Sequence, residues 1–307
     1  MTQPNGHFVP PTRNGVGPSC VGLPSGPWST MLDFLSERFA AIPRERWQAR
    51  MLAGEVWDEH GATVTAQRPY QHHLRLYYYR DVPVELPIPF EATILFQDDH
   101  LLVVDKPHFL PVAPSGNYLQ ETVLVRLKRQ LGIDAISPIH RIDRDTAGLV
   151  LFSLQQRTRN AYQALFRQRE VHKTYEAIAP WRADLSLPLT RHSRIEEAGH
   201  FMLQREVEGT PNATTHISLL ETLRLQSQTL GHYRLEPVTG QRHQLRVHMA
   251  ALGLAILGDG LYPTLTPEGQ IDHARPLQLL AKRIEFIDPL SGVVRRFESA
   301  RRLALAP

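Results

Sequence analysis

The sequence predicts an α+β protein built on a mixed, mainly antiparallel sheet with flanking helices. Three observations lead there. Strand-like runs recur along the chain, helical runs fall among them without regular βαβ alternation, and neighbouring runs are joined by short polar turns. With 42% apolar residues over 307 positions there is ample material for a buried core.

Residues 1–29 carry six prolines, five glycines and a single formal charge, Arg13. Residues 1–30 are therefore expected to form a flexible arm with no core of its own. From Met31, the residues Leu32, Leu35 and Phe39 repeat at helical spacing until Pro43 stops the helix. A second helix is expected from about Arg44 to Ala53, closed by Gly54. Glu55-Val56-Trp57, a turn at His60-Gly61 and Thr63-Val64-Thr65 read as a small hairpin, and Leu74–Tyr77 as a further strand. Together these make a module at 31–82, too small for much stability by itself. Pro83, Pro87 and Pro89 stiffen a linker at 83–89.

The rest, 90–307, reads as one larger domain. Thr93–Phe96 and Leu101–Val104 flank a turn at Asp98-Asp99, and a helix follows from about Glu121 to Leu131, capped by Gly132. Gly148–Phe152 is a strand. The segment from about Gln156 to Arg169 is an amphipathic helix, with Ala161 and Leu165, and Tyr162 and Phe166, four apart. Strands are expected at Thr174–Ile178, Thr214–Leu220 and His232–Pro237, and a last helix at Gln244–Leu252, ended by Gly253.

Composition narrows function by exclusion. A single cysteine, Cys20, rules out an intrachain disulfide framework and a thiolate zinc cluster, and suits a reducing compartment. Apolar runs such as 148–152 are far too short to cross a bilayer, and no leader pattern opens the chain, so a cytoplasmic protein is expected. Thirty-four Lys and Arg against 31 Asp and Glu give +3, a weak argument for a polyanionic partner. No metal is expected, because neither His72-His73 nor His243 with His248 has the i, i+4 spacing of two ligands on one helix face. The glycine-rich phosphate and dinucleotide loops are absent, as is the serine-hydrolase elbow.

Two polar clusters remain. His140-Arg141-Ile142-Asp143-Arg144-Asp145-Thr146-Ala147-Gly148 leads straight into a strand. A carboxylate flanked by cations here stays ionised and can act as nucleophile or base. A salt-bridged loop in which Asp143 or Asp145 caps a turn explains the composition equally well. Thr239–His248 carries no acid from Pro237 to Gly258. On a helix beginning near Arg242, Arg242 and Arg246 share one face, a phosphate or carboxylate anchor. A solvated basic helix is the blander reading, and by itself the better one. Between the clusters, Pro138–Tyr175 holds seven basic and three acidic residues, so positive charge gathers where the whole-chain sum hides it.

Taken in order, these clusters resemble the signature of the RluA-type pseudouridine synthases. His140 to Gly148 matches that family's H-R-[LI]-D-x-x-T-[SA]-G loop, and Lys173-Thr174-Tyr175 its K-x-Y element. Thr239 to His248 matches T-G-R-x-H-Q-[LI]-R-V-H, with Gln241 where arginine or lysine is usual. Leu257-Gly258-Asp259, Tyr262-Pro263, the Asp98–Pro107 hairpin and the Leu277–Phe286 strand are similar too, and the likeness spans about Phe90 to Pro289.

The resemblance implies the pseudouridine synthase catalytic fold and an isomerase, free of cofactor and metal, that acts on uridine in structured RNA, ribosomal or transfer; the sequence leaves oligomeric state open, and a monomer is the default expectation. It implies that Asp143 is the catalytic carboxylate, that Arg246 pairs with it, and that Tyr175 stacks on the flipped base and assists removal of the C5 proton. His140, Arg141, Thr146, Lys173, Arg242, His243 and Gln244 become expected substrate contacts, with Leu279 or Leu280 part of the apolar wall beneath the base. The 31–82 segment resembles a small αL-type RNA-binding module, with Arg44, Arg46 and Arg50 on its second helix. Its seven basic residues are matched by seven acidic ones from Met31 to Val84, and Glu59-His60-Gly61 replaces a common Asn-Gly turn. Two rivals differ in product. A non-catalytic RNA-binding protein of the same fold binds RNA and changes nothing, and a nucleoside glycosidase releases free uracil.

Overall fold

The computed structural model describes residues 8–82, 84–200, 202–266 and 272–305. Contacts divide the chain into two compact units. One comprises the chain to Glu85 with Pro114–Gln120 and Lys128–Asp134; the other comprises Leu86–Ala113, Glu121–Leu127 and everything from Ala135.

The first unit holds β1 (Ser19–Gly22), α1 (Met31–Arg38), α2 (Arg44–Leu52), β2 (Val56–Asp58) and β3 (Arg75–Tyr78). Its strands form an antiparallel sheet in the order β1-β3-β2. The start of α1 is fixed by a capping box. The Thr30 hydroxyl accepts from the Asp33 amide at 3.1 Å, and the Asp33 carboxylate accepts from the Thr30 amide at 3.0 Å, which stabilises the helix by about 1 kcal/mol. Met31, Leu35, Trp47 and Leu76 are wholly buried. Two expectations are corrected here. Residues 8–30 are not a coreless arm, since β1 pairs with β3 and Leu23 is buried in the same core. Thr63–Thr65 is not a strand. Thr63 makes an isolated bridge to Trp57, while Val64 turns inward to fill the core. The arginines of α2 are engaged internally. Arg46 and Arg50 both bond Asp81, and Arg44 bonds Asp33 at 2.8 Å.

The second unit is an α+β layer built on β4 (Thr93–Gln97), β5 (Leu101–Lys106), β6 (Ser137–Pro138), β7 (Ala147–Ser153), β8 (His172–Pro180), β9 (Leu189–Glu197), β10 (Gln204–Val207), β11 (Ala213–Leu225), β12 (Gln228–Pro237), β13 (Leu279–Ile287) and β14 (Val294–Glu298). The helices are the first part of α3 (Val123–Leu131, whose residues from Lys128 count with the first unit), α4 (Gln156–Arg167) and α5 (Gln244–Ala251). Among the described residues these eleven strands make one sheet, with the path β10-β9-β11-β12-β8-β13-β7-β5-β4, β14 on β13 and β6 on β7. The β7–β13 pairing is parallel and the other pairings recorded are antiparallel. Every residue of β7 is buried, as its unbroken apolar run requires of a central strand. Leu149 and Leu151 pack with Tyr162 of α4 and with Ile284 and Phe286, each worth about 1.5–3 kcal/mol of burial.

Gly148 decides how β7 begins. Its φ of +109° suits a residue without Cβ, and a Cβ there would lie 2.3 Å from the Ala281 carbonyl oxygen. Only glycine therefore lets β7 meet β13 where the polar loop 140–146 enters the sheet. Sequence periodicity passed over β9, β10 and β14, whose residues alternate between charged and half-buried rather than forming apolar runs. The last helix starts where expected, at Gln244, but the pairing of Arg242 with Arg246 assumed a start near Arg242. The helix begins at Gln244, and His243 precedes it in the left-handed conformation at φ 55°. Arg242 and Arg246 therefore do not share a helical face. The expected basic surface is absent as well, because Gln244 to Met249 are all buried.

Candidate active site

The loop from His140 to Thr146 is held from beneath by main-chain contacts. The Thr146 amide donates to the Asp143 carbonyl at 3.2 Å, closing a turn over residues 143–146. Lys106, at the end of β5, donates from Nζ to the carbonyls of Pro107 and Arg144, both at 2.9 Å. Nδ1 of His108 lies 2.6 Å from the Asp145 carbonyl. Lys106 is completely buried, and burial pulls its ammonium down to about 7 against the attraction of Asp145 and Asp143. Asp145 is paired with its neighbour Arg144 at 2.8 Å. Burial disfavours its charge, yet that bond, with Arg246 and Lys106, keeps its carboxyl below the usual range.

Arg246 of α5 lies between two carboxylates. Its Nε and Nη2 grip Asp259 at 2.8 and 2.6 Å, and its Nη1 donates to Asp143 Oδ2 at 3.1 Å. Burial opposes the charge of Arg246, but Asp259 and Asp143 together raise its proton affinity. Asp259 is itself fixed by the amides of Leu261 and Tyr262 at 2.8 and 3.1 Å. The Tyr262 ring lies 5.5 Å from the guanidinium, within cation–π range. The other oxygen of Asp143, Oδ1, lies 3.8 Å from Nε2 of His243. One cation and two carboxylates leave this centre with a net negative charge. Asp143 carries its exposed share, with 27% of its side chain accessible against 1% for Asp259.

The remaining expected residues separate into those at the centre and those that build it. Tyr175 on β8 is in register with Ala281 on β13, which is in turn in register with Gly148. Burial, and then the charge of Asp143, raises the Tyr175 phenol, which therefore stays protonated across the neutral range. Leu279 packs in the cluster that Tyr175 borders, whereas Leu280 joins Ala147, Ile178 and Leu230 in a different cluster. Of the two, Leu279 is the one on the tyrosine side. Thr146 is buried directly behind the turn.

Several expected substrate contacts are committed elsewhere. Gln244 accepts from Thr239 Oγ1 and the Gln241 amide at 2.7 and 3.0 Å, and donates to the Thr214 carbonyl and Thr215 Oγ1, both at 2.9 Å. It is a buried clamp between β11 and the turn before α5. Lys173 donates to the Thr239 carbonyl at 3.0 Å, with burial lowering its ammonium to about 8. His140 stacks on Phe166 and accepts from the Leu151 amide at 3.2 Å. Burial, with Lys173 nearby, lowers it to about 3, so its ring is neutral and structural. Arg141 and Arg242 are exposed, with Arg242 3.9 Å from Glu197.

Sequence reasoning quoted Asp259, Tyr262 and Lys106 within motifs but assigned them no part in the centre. The signal was there for Asp259: it is the first acid after a long stretch without one, and that stretch holds Arg246.

Known proteins share this architecture and these segments. The family model for RNA pseudouridylate synthase matches residues 100–251. The chain is 32% identical to an uncharacterized RNA pseudouridine synthase of Synechocystis sp. over 76% of its own length and 79% of that protein's. It is 33% identical to the dual-specificity RNA pseudouridine synthase RluA of Haemophilus influenzae, covering 69% of this chain and 94% of that one. To the ribosomal large subunit pseudouridine synthase D of Xanthomonas campestris it is 33% identical, over 68% and 65% of the two chains. The solved structure of human RNA pseudouridylate synthase domain containing 1 has the same fold, with a TM-score of 0.58 at 20% identity over 71% of this chain and 86% of that one. Motif order, fold and extended sequence identity agree, and the chain belongs to the RluA-type RNA pseudouridine synthases, which isomerise uridine to pseudouridine within RNA.

Proposed function

We propose that Asp143 is the catalytic carboxylate of this enzyme, that Arg246 positions it, and that Tyr175 and Leu279 receive the target uracil. The observation that supports this most is the shared guanidinium. Arg246 is immobilised by Asp259 and offers its remaining Nη1 to Asp143 at 3.1 Å. A buried cation thus fixes an accessible carboxylate without enclosing it.

The reaction breaks the bond between C1′ and N1, turns the uracil, joins C1′ to C5, and transfers the C5 hydrogen out as a proton while N1 gains one. No redox partner is needed. An ionised carboxylate can open this sequence at either electrophile, the uracil ring or C1′, and both courses need Asp143 unprotonated and fixed. Tyr175 keeps its proton, so its contribution is a stacking face and a hydrogen-bonding hydroxyl rather than a phenolate base. To reach Asp143 the uridine must leave its stack, at a cost of a few kcal/mol in a duplex and less in a loop. Structured RNA loops are accordingly the substrate we assign, in ribosomal or transfer RNA, with Arg141 and Arg242 on the flanking backbone; one relative is named for the ribosomal large subunit. In the same reading the enzyme acts as a monomer in the cytoplasm without cofactor or metal, and residues 31–82 form an accessory αL-type module joined at 83–89 to the catalytic domain of 90–307. With the α2 arginines engaged by acids of their own unit, that module adds little to RNA affinity.

The test is tritium release from RNA carrying 5-tritiated uridine. Wild type releases label and forms pseudouridine, whereas Asp143→Asn does neither while keeping its fold and its RNA affinity. Full activity in that variant overturns the assignment. Free uracil as product would instead indicate a glycosidase. Base-resolution pseudouridine mapping of cellular RNA with and without the gene then names the target.

A further inference from the structure

Three segments distant in sequence converge on the imidazole of His243. The main-chain amide of Gln204 on β10 donates to the Tyr262 hydroxyl at 2.8 Å. An amide only donates, so the phenol oxygen accepts there and its own proton points elsewhere. Nδ1 of His243 lies 3.0 Å from that hydroxyl, and donation to it uses the proton. A neutral ring that accepts at Nδ1 carries its hydrogen on Nε2. Nε2 is the nitrogen 3.8 Å from Asp143 Oδ1, the oxygen that Arg246 leaves unbonded.

We propose that His243 is a positioning residue for Asp143, that its Nε2–H orients Oδ1, and that Tyr262 sets the tautomer which makes this possible. The inference rests on Asp143 being the catalytic carboxylate. At 3.8 Å the approach is longer than a hydrogen bond, and the proposal requires that it shorten in the substrate complex. The backbone supports a functional reading. His243 holds φ 55°, a conformation uncommon for a residue with Cβ, and the surrounding clamp of Gln244 on Thr239 and Gln241 enforces it.

A neutral donor suits this position better than a second cation. Arg246 already supplies a positive charge at Oδ2, and a further full charge would blunt the nucleophilicity of Asp143. The groups facing His243 are Asp143 from the loop before β7, Arg242 and Arg246 from α5 and its turn, and Asp259 and Tyr262 from the following loop. Burial, reinforced by the two arginines, outweighs the two carboxylates and keeps the ring neutral.

The test uses the full chain and two readouts. In a nitrogen-15 spectrum of labelled wild type, with His243 assigned by its loss in His243→Asn, the ring is expected as the Nε2–H tautomer. It is expected to keep that form in Asp143→Asn and to lose it in Tyr262→Phe. In tritium release, Tyr262→Phe keeps the ring under Arg246 but lowers kcat by roughly tenfold or more, with KM within about twofold. Loss of the donor that favours the neutral ring also moves the acid limb of its kcat profile to higher pH. Asparagine tolerates the left-handed backbone and keeps an amide donor, so His243→Asn retains more activity than His243→Ala. An Nδ1–H tautomer in wild type overturns the proposal, and so does Tyr262→Phe with wild-type kcat and acid limb. Should Tyr262→Phe not fold, the wild-type tautomer and the ranking of the two His243 variants still decide. Full activity in Asp143→Asn would mark failure of the catalytic assignment instead, because the tautomer is read without turnover.

Discussion

Asp143 and Asp259 bind the same guanidinium and are opposite in character. Asp259 accepts from two arginine nitrogens and two main-chain amides with 1% of its side chain accessible. Asp143 accepts from Arg246 at 3.1 Å, is approached by His243 at 3.8 Å, and keeps 27% of its side chain accessible. A carboxylate whose lone pairs are filled is an anchor, and one with lone pairs to spare is open to act as the reagent proposed for Asp143. The comparison makes a residue's remaining capacity, rather than its charge, the mark of the chemistry.

The largest expected effect breaks the reagent side. Asp143→Asn keeps size and a hydrogen-bond acceptor for Arg246 but lacks the negative charge. Tritium release should fall by on the order of 10⁴-fold or more, as removal of a nucleophile does elsewhere, with the melting temperature nearly unchanged. A loss of only a few-fold would make Asp143 a binding group and erase its difference from Asp259.

Asp259→Asn breaks the anchor. It leaves the buried guanidinium with Asp143 as its one carboxylate in the pair, and removing one partner of a buried ion pair costs about 3–5 kcal/mol. Urea unfolding followed by circular dichroism should show that loss. Unchanged stability would mean that water or another group supports Arg246, and the two aspartates would then differ only in exposure.

How much of this was legible in the sequence follows from the same contrast. The α+β class, α1, α2, α4 and the β4–β5 hairpin were readable because apolar periodicity and glycine or proline stops are local signals. The proposed centre was readable only through a family motif, which singled out Asp143, Tyr175 and Arg246 together. What local reasoning missed depends on tertiary contacts. It placed Arg242 and Arg246 on one exposed face, whereas the left-handed His243 starts the helix at Gln244 and turns Arg246 inward. The proline- and glycine-rich start reads as disorder, yet β1 completes a sheet through main-chain bonds that composition does not encode. Gln244 belongs to the motif but is occupied in holding β11 to the turn, so motif membership did not separate substrate contact from scaffold.

Lys106 extends the comparison to a cation that supports the loop without touching the reacting groups. Its folded-state value of about 7 lies below its ordinary 10.5. Below pH 7 both folded and unfolded chains carry the proton, and this residue contributes no slope. Between pH 7 and 10.5 the unfolded chain binds a proton that the folded chain has released, so stability rises with pH. The rise attributable to Lys106 should be on the order of a few kcal/mol across that window. Urea midpoints measured at pH 7 and pH 9.5 should therefore separate in wild type more than in Lys106→Met. Equal separation in the two proteins would place the depressed titration elsewhere.

Arg141 offers the smallest expected effect and the sharpest control. It stands two residues before Asp143 but is exposed, whereas Arg246 is buried, so the two arginines mirror the contrast between the two aspartates. An exposed arginine beside the target can contact RNA phosphate, and it adds little to folding. Arg141→Ala should shift stability by less than about 0.5 kcal/mol. It should also lower the slope of log affinity against log salt by about one. If affinity and its salt slope stay the same while kcat falls, Arg141 orders the catalytic loop instead. The division between accessible groups that meet substrate and buried groups that hold them would then fail within this one loop.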